Sequence, residues 1–448
     1  MRLLRGFVGR AAAAASGHAT LARRRQRLLG VRLRLLLGDQ LVALGGDLAL
    51  FQIIFALKLR LLRTVAIYGP NASGKSTVLT AAQALRWLVA DSSAQAKPDA
   101  KIPCYEPFLL AADSRTSPIQ LGCEVIYKKS VLRYEITFKA KAIQTETLTR
   151  VDDTQESKLI VRHLSGEVSG QLLSQSKVNQ LYVQEMQPNV AVLSKLAQHG
   201  PHKGKESVQP YYRAIRDALR YKDYCNAANV QISFGRMSDD KFADDAEYRE
   251  WIMRHLIRSA DIGISGVKTR RENVEIPDFV RAEIVKMVGE VELPDKRVIV
   301  SFEHEGTAPQ LLDFANESAG TKKLFNLAHD WWLLANEPLT LFADELSASL
   351  HPRLLERLIR AVNEAPAERV PSQLIFTTHD TGLLEGQDGQ PPALRRDQVY
   401  FTKKDTKGAT ELYSLTEFKE EARPVHNIRK RYLSGLYGAI PSVEKLSL

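Results

Sequence analysis

Thr64-Val65-Ala66-Ile67-Tyr68, followed by Gly69-Pro70-Asn71-Ala72-Ser73-Gly74-Lys75-Ser76-Thr77, decides the fold of this chain. An apolar strand enters a glycine-rich turn, and the turn opens a helix whose broad apolar face carries Val78, Leu79, Ala81, Ala82, Leu85, Leu88 and Val89. This is the Walker A pattern G-x-x-x-x-G-K-[ST] between a strand and a helix, the context in which it works. Gly69 and Gly74 let the backbone curl so that successive N–H groups converge on one phosphate, and the helix N-terminus adds its dipole there. Every residue from Gly69 to Thr77 is a candidate phosphate contact. Lys75 is placed to reach the β- and γ-phosphates, and the Ser76 hydroxyl to ligate magnesium (Mg²⁺). The pattern points to a bound nucleoside triphosphate.

Composition narrows what else the chain can be. Its 448 residues allow one large or two to three ordinary domains, and 44% hydrophobic with 25% charged residues is usual for a soluble protein. Cys104, Cys123 and Cys225 form no C-x-x-C pair, so neither a disulfide framework nor a zinc site is expected, and a reducing, cytoplasmic compartment fits. The apolar run from Leu48 to Leu57 is too short to span a bilayer. The formal charge of +10 lies entirely in residues 1–63, which hold twelve basic and two acidic residues and no Glu. From Thr64 onward the charges balance, which argues against a nucleic-acid surface on the body of the protein.

The first 63 residues, with Arg23-Arg24-Arg25-Gln26-Arg27, admit three explanations. The alternation Val31-Arg32-Leu33-Arg34-Leu35 suits β-strands edging the main sheet. An Arg-rich, acid-poor leader suits a transit peptide. A shifted reading frame through GC-rich codons produces this Arg/Ala/Gly/Leu mixture, and this explanation is favoured. The expected domains are an atypical segment over 1–62, a first ATPase lobe over 63–150 and a mostly helical insertion over 151–295. A second lobe over 296–400 and a C-terminal extension over 401–448 complete the chain. Strand patterns at Ile119–Tyr127, Leu132–Phe138 and Ile143–Thr149 make a small antiparallel sheet, and Gln209–Leu219 and Ala246–Ala260 are amphipathic helices.

Three later stretches extend the chemistry. Asn316-Glu317-Ser318-Ala319-Gly320-Thr321 opens a helix with Phe325, Leu327, Ala328, Trp331 and Leu334, giving a second anion-receptive helix start. Leu339-Thr340-Leu341-Phe342-Ala343-Asp344-Glu345 is a buried strand ending in two carboxylates, the Walker B pattern. Asp344 is then a candidate Mg²⁺ ligand and Glu345 the candidate base for an attacking water. Gln373-Leu374-Ile375-Phe376-Thr377-Thr378-His379 is another buried strand, and its histidine is placed to hydrogen-bond the γ-phosphate and that water.

Taken together, GPNASGKST, NESAGTKKL, LFADELSASLHP and FTTHD resemble the ordered motifs of ABC/SMC-type ATPase heads: Walker A, signature, Walker B with D-loop, and switch histidine. With the tail Arg395–Asp405, Glu411–Leu415 and Tyr437–Pro441, the wording is similar to the AAA-family ATP-binding proteins of bacterial abortive-infection phage defence. The resemblance runs from about residue 62 to the end. It departs where residues 1–61 lack the group's opening strand with an Asn-Phe-Arg-Ser-type turn, where Ser347 replaces a usual Asp, and in having no assignable Gln-loop residue.

The resemblance implies an α/β P-loop fold of the ABC/SMC-head kind with an antiparallel β-subdomain and a mostly helical insertion. It implies ATP and Mg²⁺ as ligands and a homodimer or higher homo-oligomer, in which Walker A of one chain faces Ser318, Gly320 and Thr321 of another. Lys75, Glu345 and His379 are then the catalytic set. It further implies a sensor or regulator acting on a separate effector, such as a nuclease. The related overcoming-lysogenization-defect nucleases carry a Toprim domain after the ATPase, and too few residues follow His379 for one here. Alternatives are a non-hydrolysing ATP-dependent scaffold, a DNA-repair or chromosome-type ATPase, and a transporter subunit. Direct nucleic-acid binding is left open, and no membrane partner is expected.

Overall fold

In the computed structural model the described residues are 51–54, 59–110, 116–128, 130–152, 155–205, 207–224, 238–260, 263–273, 296–306, 308–348, 350–366, 372–386, 389–418 and 427–441. The explanations offered for residues 1–50, together with Cys225 and Ser349, lie outside them. The chain divides into two compact units. One comprises residues 1–222, 337–346 and 356–448, and the other residues 223–336 and 347–355.

The first unit is built on a sheet of six strands. In chain order the strands of the unit are β1 (Phe51–Ile54), β2 (Leu59–Leu62), β3 (Thr64–Tyr68), β4 (Ile119–Tyr127), β5 (Ser130–Phe138), β6 (Ile143–Val151), β7 (Glu156–Arg162), β8 (Val168–Ser169) and β9 (Arg220–Asp223). The chain later returns to the unit with β13 (Thr340–Asp344), β14 (Gln373–Thr377), β15 (Val399–Lys404) and β16 (Thr410–Ser414). The main sheet has the order β16-β15-β3-β14-β13-β9. Its four central strands are parallel, with Ile67 opposite Thr377 and Phe376 opposite Ala343, so β3, β14 and β13 end almost level.

Both faces of this sheet are covered, which is why its strands read as continuous apolar runs rather than alternating ones. Val65, Ile67, Phe342, Ile375 and Tyr400 join one core with Leu79, Leu85, Leu88 and Val89 of the helix Lys75–Ala90. On β3 and β15, Tyr68 and Phe401 belong to an aromatic cluster with Tyr432 and Tyr437, where Phe401 stacks on both at 5.3 and 5.5 Å between centroids. Apolar burial of this kind contributes roughly 25 cal/mol per Å² removed from water.

Strands β4 to β8 form a five-stranded antiparallel sheet in sequential order, so the three expected strands are joined by two more. Leu121, Tyr134, Ile136 and Leu148 of this sheet enter the same core as the helix Lys75–Ala90. Glu146 on β6 is wholly buried and ties the helix Val192–His199 to the sheet. It accepts the N–H groups of Val192 and Leu193 at 2.7 and 2.9 Å and the Tyr134 hydroxyl at 2.9 Å. Burial pushes its carboxyl up from the ordinary range, against the pull of these donors and of Arg162. β1 and β2 form an antiparallel pair, Phe51 opposite Leu62.

The second unit contains β10 (Ile264–Asn273), β11 (Lys296–His304) and β12 (Gln310–Asp313), which form an antiparallel sheet in that order. Its helices include Ala246–Ile252, which runs on into a single π turn at Met253–Ile257, and Ala319–Asn336. Phe325 of the latter makes edge contacts with Phe242 and Phe302 at 4.9 and 5.2 Å. The stretch 151–295 thus holds strands β7 to β10 as well as helices. No helix among the described residues is long and apolar enough to cross a membrane.

Candidate functional site

Strand β3 ends at Tyr68, and the backbone then turns through Gly69-Pro70 into a loop closed by the Ser73 N–H on the Pro70 carbonyl at 3.2 Å. Ala72 (φ 60) and Gly74 (φ 99) both adopt positive φ, after which the helix begins at Lys75. For an alanine this conformation costs on the order of 1–2 kcal/mol, a cost met only where a loop must hold a particular curl. Asn71, Ala72, Ser76 and Thr77 are exposed, whereas Ser73 and Lys75 are buried. The Lys75 ammonium group folds back over the loop and donates to the carbonyls of Gly69 and Pro70, each at 3.1 Å. Burial pulls its pKa down, and the carboxylates of Glu345 and Asp344 pull it up. The cation and both acids therefore share one electrostatic neighbourhood.

β13 ends at Asp344, which is only 5% exposed. A buried carboxylate needs donors, and Thr377 at the end of the neighbouring β14 supplies one: its hydroxyl donates to Asp344 Oδ1 at 2.6 Å. The same hydroxyl oxygen accepts the Glu345 N–H at 2.7 Å. Glu345 itself adopts φ 52, a left-handed conformation that turns the chain sharply out of the strand. Its carboxylate oxygen Oε1 lies 3.5 Å from Nε2 of His379, which follows β14 and is exposed. The Tyr68 hydroxyl donates to the carbonyl of Asp380 at 2.9 Å, pinning the segment after the histidine to the strand that feeds the loop.

Four of the residues singled out in the sequence therefore meet at the carboxyl ends of adjacent parallel strands: Lys75 beyond β3, Asp344 and Glu345 after β13, and His379 after β14. This is the edge at which parallel α/β sheets take their ligands. The arrangement can receive an anion on loop N–H groups and one ammonium, and a hard cation on hydroxyl and carboxylate oxygens. Its half-buried Glu345 carboxylate and exposed His379 imidazole can hold a water molecule. Thr377 escaped the sequence reading; the signal was a hydroxyl residue as the last position of an otherwise apolar strand.

Ser318, Gly320 and Thr321 lie in the second unit. There the Ser318 side chain accepts the Thr321 N–H at 3.1 Å and contacts the Thr321 hydroxyl at 2.9 Å, which starts the helix Ala319–Asn336. Glu317, one residue earlier, is buried against His304 of β11 at 2.7 Å. Ser318 and Ala319 are exposed, Gly320 is half-buried and Thr321 is buried. Ser347 also belongs to this unit.

The residues present fit a triphosphate and a magnesium ion. The loop is curled around its own lysine, and the space a Cβ would take at Gly74 is filled by Thr410, so the backbone there is closely supported. Ser76 and Asp344 offer the oxygen donors that Mg²⁺ prefers, with phosphate and water completing the shell in such sites.

Residues 226–385, about a third of the chain, match the family described as "AAA domain, putative AbiEii toxin, Type IV TA system". The matched stretch contains Ser318, Asp344, Glu345 and His379 and begins after the phosphate loop. No curated protein matches the chain significantly. Among solved structures, the chain is similar to the SMC head domain from Thermotoga maritima, at 13% identity over 79% of this chain and 90% of that one, with a TM-score of 0.31. It is also similar to an Smc head bound to the C-winged helix domain of ScpA, at 12% identity over 81% and 94%, with a TM-score of 0.34. A third is the Smc head domain with an extended coiled coil from Pyrococcus furiosus, at 13% identity over 83% and 96%, with a TM-score of 0.30. Likenesses of this strength decide nothing further about the chain. The first unit thus has a P-loop α/β fold, and residues 226–385, which are similar to an AAA domain, carry the acid pair and the histidine that meet the phosphate loop following β3.

Proposed function

We propose that this protein binds ATP with magnesium and hydrolyses it to ADP and phosphate, using two opposed copies of the chain. The observation that carries the reading is the convergence of Lys75, Asp344, Glu345 and His379 at one sheet edge, with Glu345 and His379 3.5 Å apart. In this reading the N–H groups of the loop from Gly69 to Thr77 receive the phosphates, and Lys75 exchanges its two carbonyl partners for β- and γ-phosphate oxygens. Glu345 accepts a proton from the attacking water, while His379 orients that water and the γ-phosphate. Ser76 and Asp344 would hold the magnesium ion, which would supply neutralisation of charge on the phosphate oxygens. Ser318, Gly320 and Thr321 of a second copy cover the triphosphate, because Ser318 and Ala319 are exposed at the start of a long helix.

The matched family's description, which names a toxin and a toxin–antitoxin system, supports a role in such a system. In that role, ATP-controlled closure regulates a separate effector protein in phage defence. The test is to purify the chain and measure phosphate release with ATP and magnesium, beside Glu345→Gln and Lys75→Ala variants. Turnover in the parent that is absent from both variants supports the reading. A parent that binds no nucleotide, or a Glu345→Gln chain that turns over at the parental rate, overturns it. Co-purification with the products of neighbouring genes then tests the effector.

A further inference from the structure

The phosphate loop is held from outside as well as by its own sequence. The Thr402 hydroxyl on β15 donates to the carbonyl of Tyr68 at 3.3 Å and lies 2.6 Å from the Ser73 hydroxyl. With its single proton committed to Tyr68, Thr402 accepts the proton of Ser73. On β16, the Thr410 hydroxyl donates to the carbonyl of Ser73 at 3.0 Å and itself accepts from the Lys404 ammonium group at 2.9 Å. Two threonines from one hairpin thus grip both the side chain and the backbone of Ser73, the residue before Gly74. Thr402 is fully buried and Thr410 is 2% exposed, so water does not compete for these bonds.

The close approach also accounts for the loop's two glycines. A Cβ at Gly69 would collide with the Thr402 hydroxyl and lie 2.7 Å from its carbonyl oxygen, and one at Gly74 would collide with the Thr410 side chain. Two of the loop's internal bonds come from Lys75, to Gly69 and Pro70. Those are the bonds Lys75 releases when it turns to a phosphate. The threonine bonds do not involve Lys75, so that turn does not require them to break.

We infer that Thr402 and Thr410 are positioning residues, which keep the loop's N–H groups converged for the triphosphate and so set the affinity for a nucleoside triphosphate. The inference rests on the nucleotide-binding reading above and deepens it. A loop already in its binding conformation loses less entropy when the anion arrives, and that difference appears as affinity. The β15–β16 hairpin, more than 300 residues from the loop in sequence, thereby tunes the site.

The experiment uses the full chain and a fluorescent N-methylanthraniloyl-ATP probe with magnesium. Parent, Lys75→Ala, Thr402→Val, Thr402→Ser, Thr410→Val and Thr410→Ser are titrated, and the nucleotide-free melting temperature of each is recorded. Valine keeps the shape of threonine and removes the hydroxyl; serine keeps the hydroxyl and removes the methyl. Each valine variant is expected to raise the probe Kd by roughly tenfold, about 1.4 kcal/mol. Each serine variant should stay within about threefold of the parent, in line with the fraction of a kilocalorie that a retained hydrogen bond leaves at stake. Valine variants that bind like the parent overturn the inference, as do serine variants that lose as much affinity as valine. If Thr402→Val does not fold, the Thr410 pair decides. A parent that ignores the probe overturns the nucleotide reading as well. A parent that binds, a Lys75→Ala chain that does not, and valine variants equal to the parent overturn this inference alone.

Discussion

The Thr377 hydroxyl oxygen lies 2.6 Å from Asp344 Oδ1 and 2.7 Å from the Glu345 backbone nitrogen. One side chain on β14 therefore sets both acids at the end of β13: it donates to the buried carboxylate and accepts from the N–H of the residue in left-handed conformation. Without that acceptor, the turn that aims Glu345 toward His379 has one fewer bond to hold it.

Thr377→Val should therefore reduce turnover more than binding. Losing a hydrogen bond to a buried charged group costs about 1.5–3 kcal/mol, which corresponds to roughly 10- to 100-fold in rate. Steady-state phosphate release, compared with probe affinity, reads the split. Thr377→Ser should restore most of the rate, and equal loss in the two variants would assign Thr377 to packing.

Glu345→Gln should bind ATP as the parent does and lose turnover by roughly 10²- to 10⁴-fold, the range for removal of a general base. The trapped nucleotide should shift the chain toward a dimer on size exclusion. Lys75→Ala should instead weaken binding itself, since no other ammonium is hydrogen-bonded to the carbonyls of Gly69 and Pro70 among the described residues.

A Ser318→Arg chain and a Lys75→Ala chain should each be inactive alone and recover part of the activity when mixed. In a mixed dimer one composite site pairs an intact loop with an intact Ser318. Mixed dimers detected by differential tagging, yet without recovered phosphate release, would refute opposed composite sites.

The contact that holds β12 has a pH signature. The Arg270 guanidinium donates to both oxygens of Asp313, each at 3.0 Å, and Ser301 donates a further bond. Together they lower the Asp313 carboxyl to about 2. A carboxyl depressed on folding adds stability that is present above its ordinary value near 4 and is lost as pH falls toward about 2. Carboxyl-carbon NMR should find Asp313 still ionised at pH 3, and Arg270→Ala should return its titration toward the ordinary value.

Much of the site was legible because its parts are contiguous. Gly69 to Thr77 carries its chemistry within one loop, and the acid pair and the histidine each close a short apolar strand. The strand β10 was missed because Lys268-Thr269-Arg270-Arg271-Glu272-Asn273 is wholly polar and its residues are half-buried or exposed, so periodicity had no apolar face to register. The left-handed backbone of Glu345 had no signal either, since nothing in the residue type requests it.

The order of the motifs, the elements that carry them and the balance of charge were determined by the sequence alone, for each is a local property of neighbouring residues. The tertiary structure decided that β14 lies between β3 and β13, which brings Thr377 to Asp344 across 33 positions. It also decided that Thr402 and Thr410 reach Ser73 across 329 and 337 positions. Many threonines in the chain could make such bonds, and composition does not distinguish them. Strand order and register select which hydroxyl meets which partner, and these are set by burial on both faces of the whole sheet.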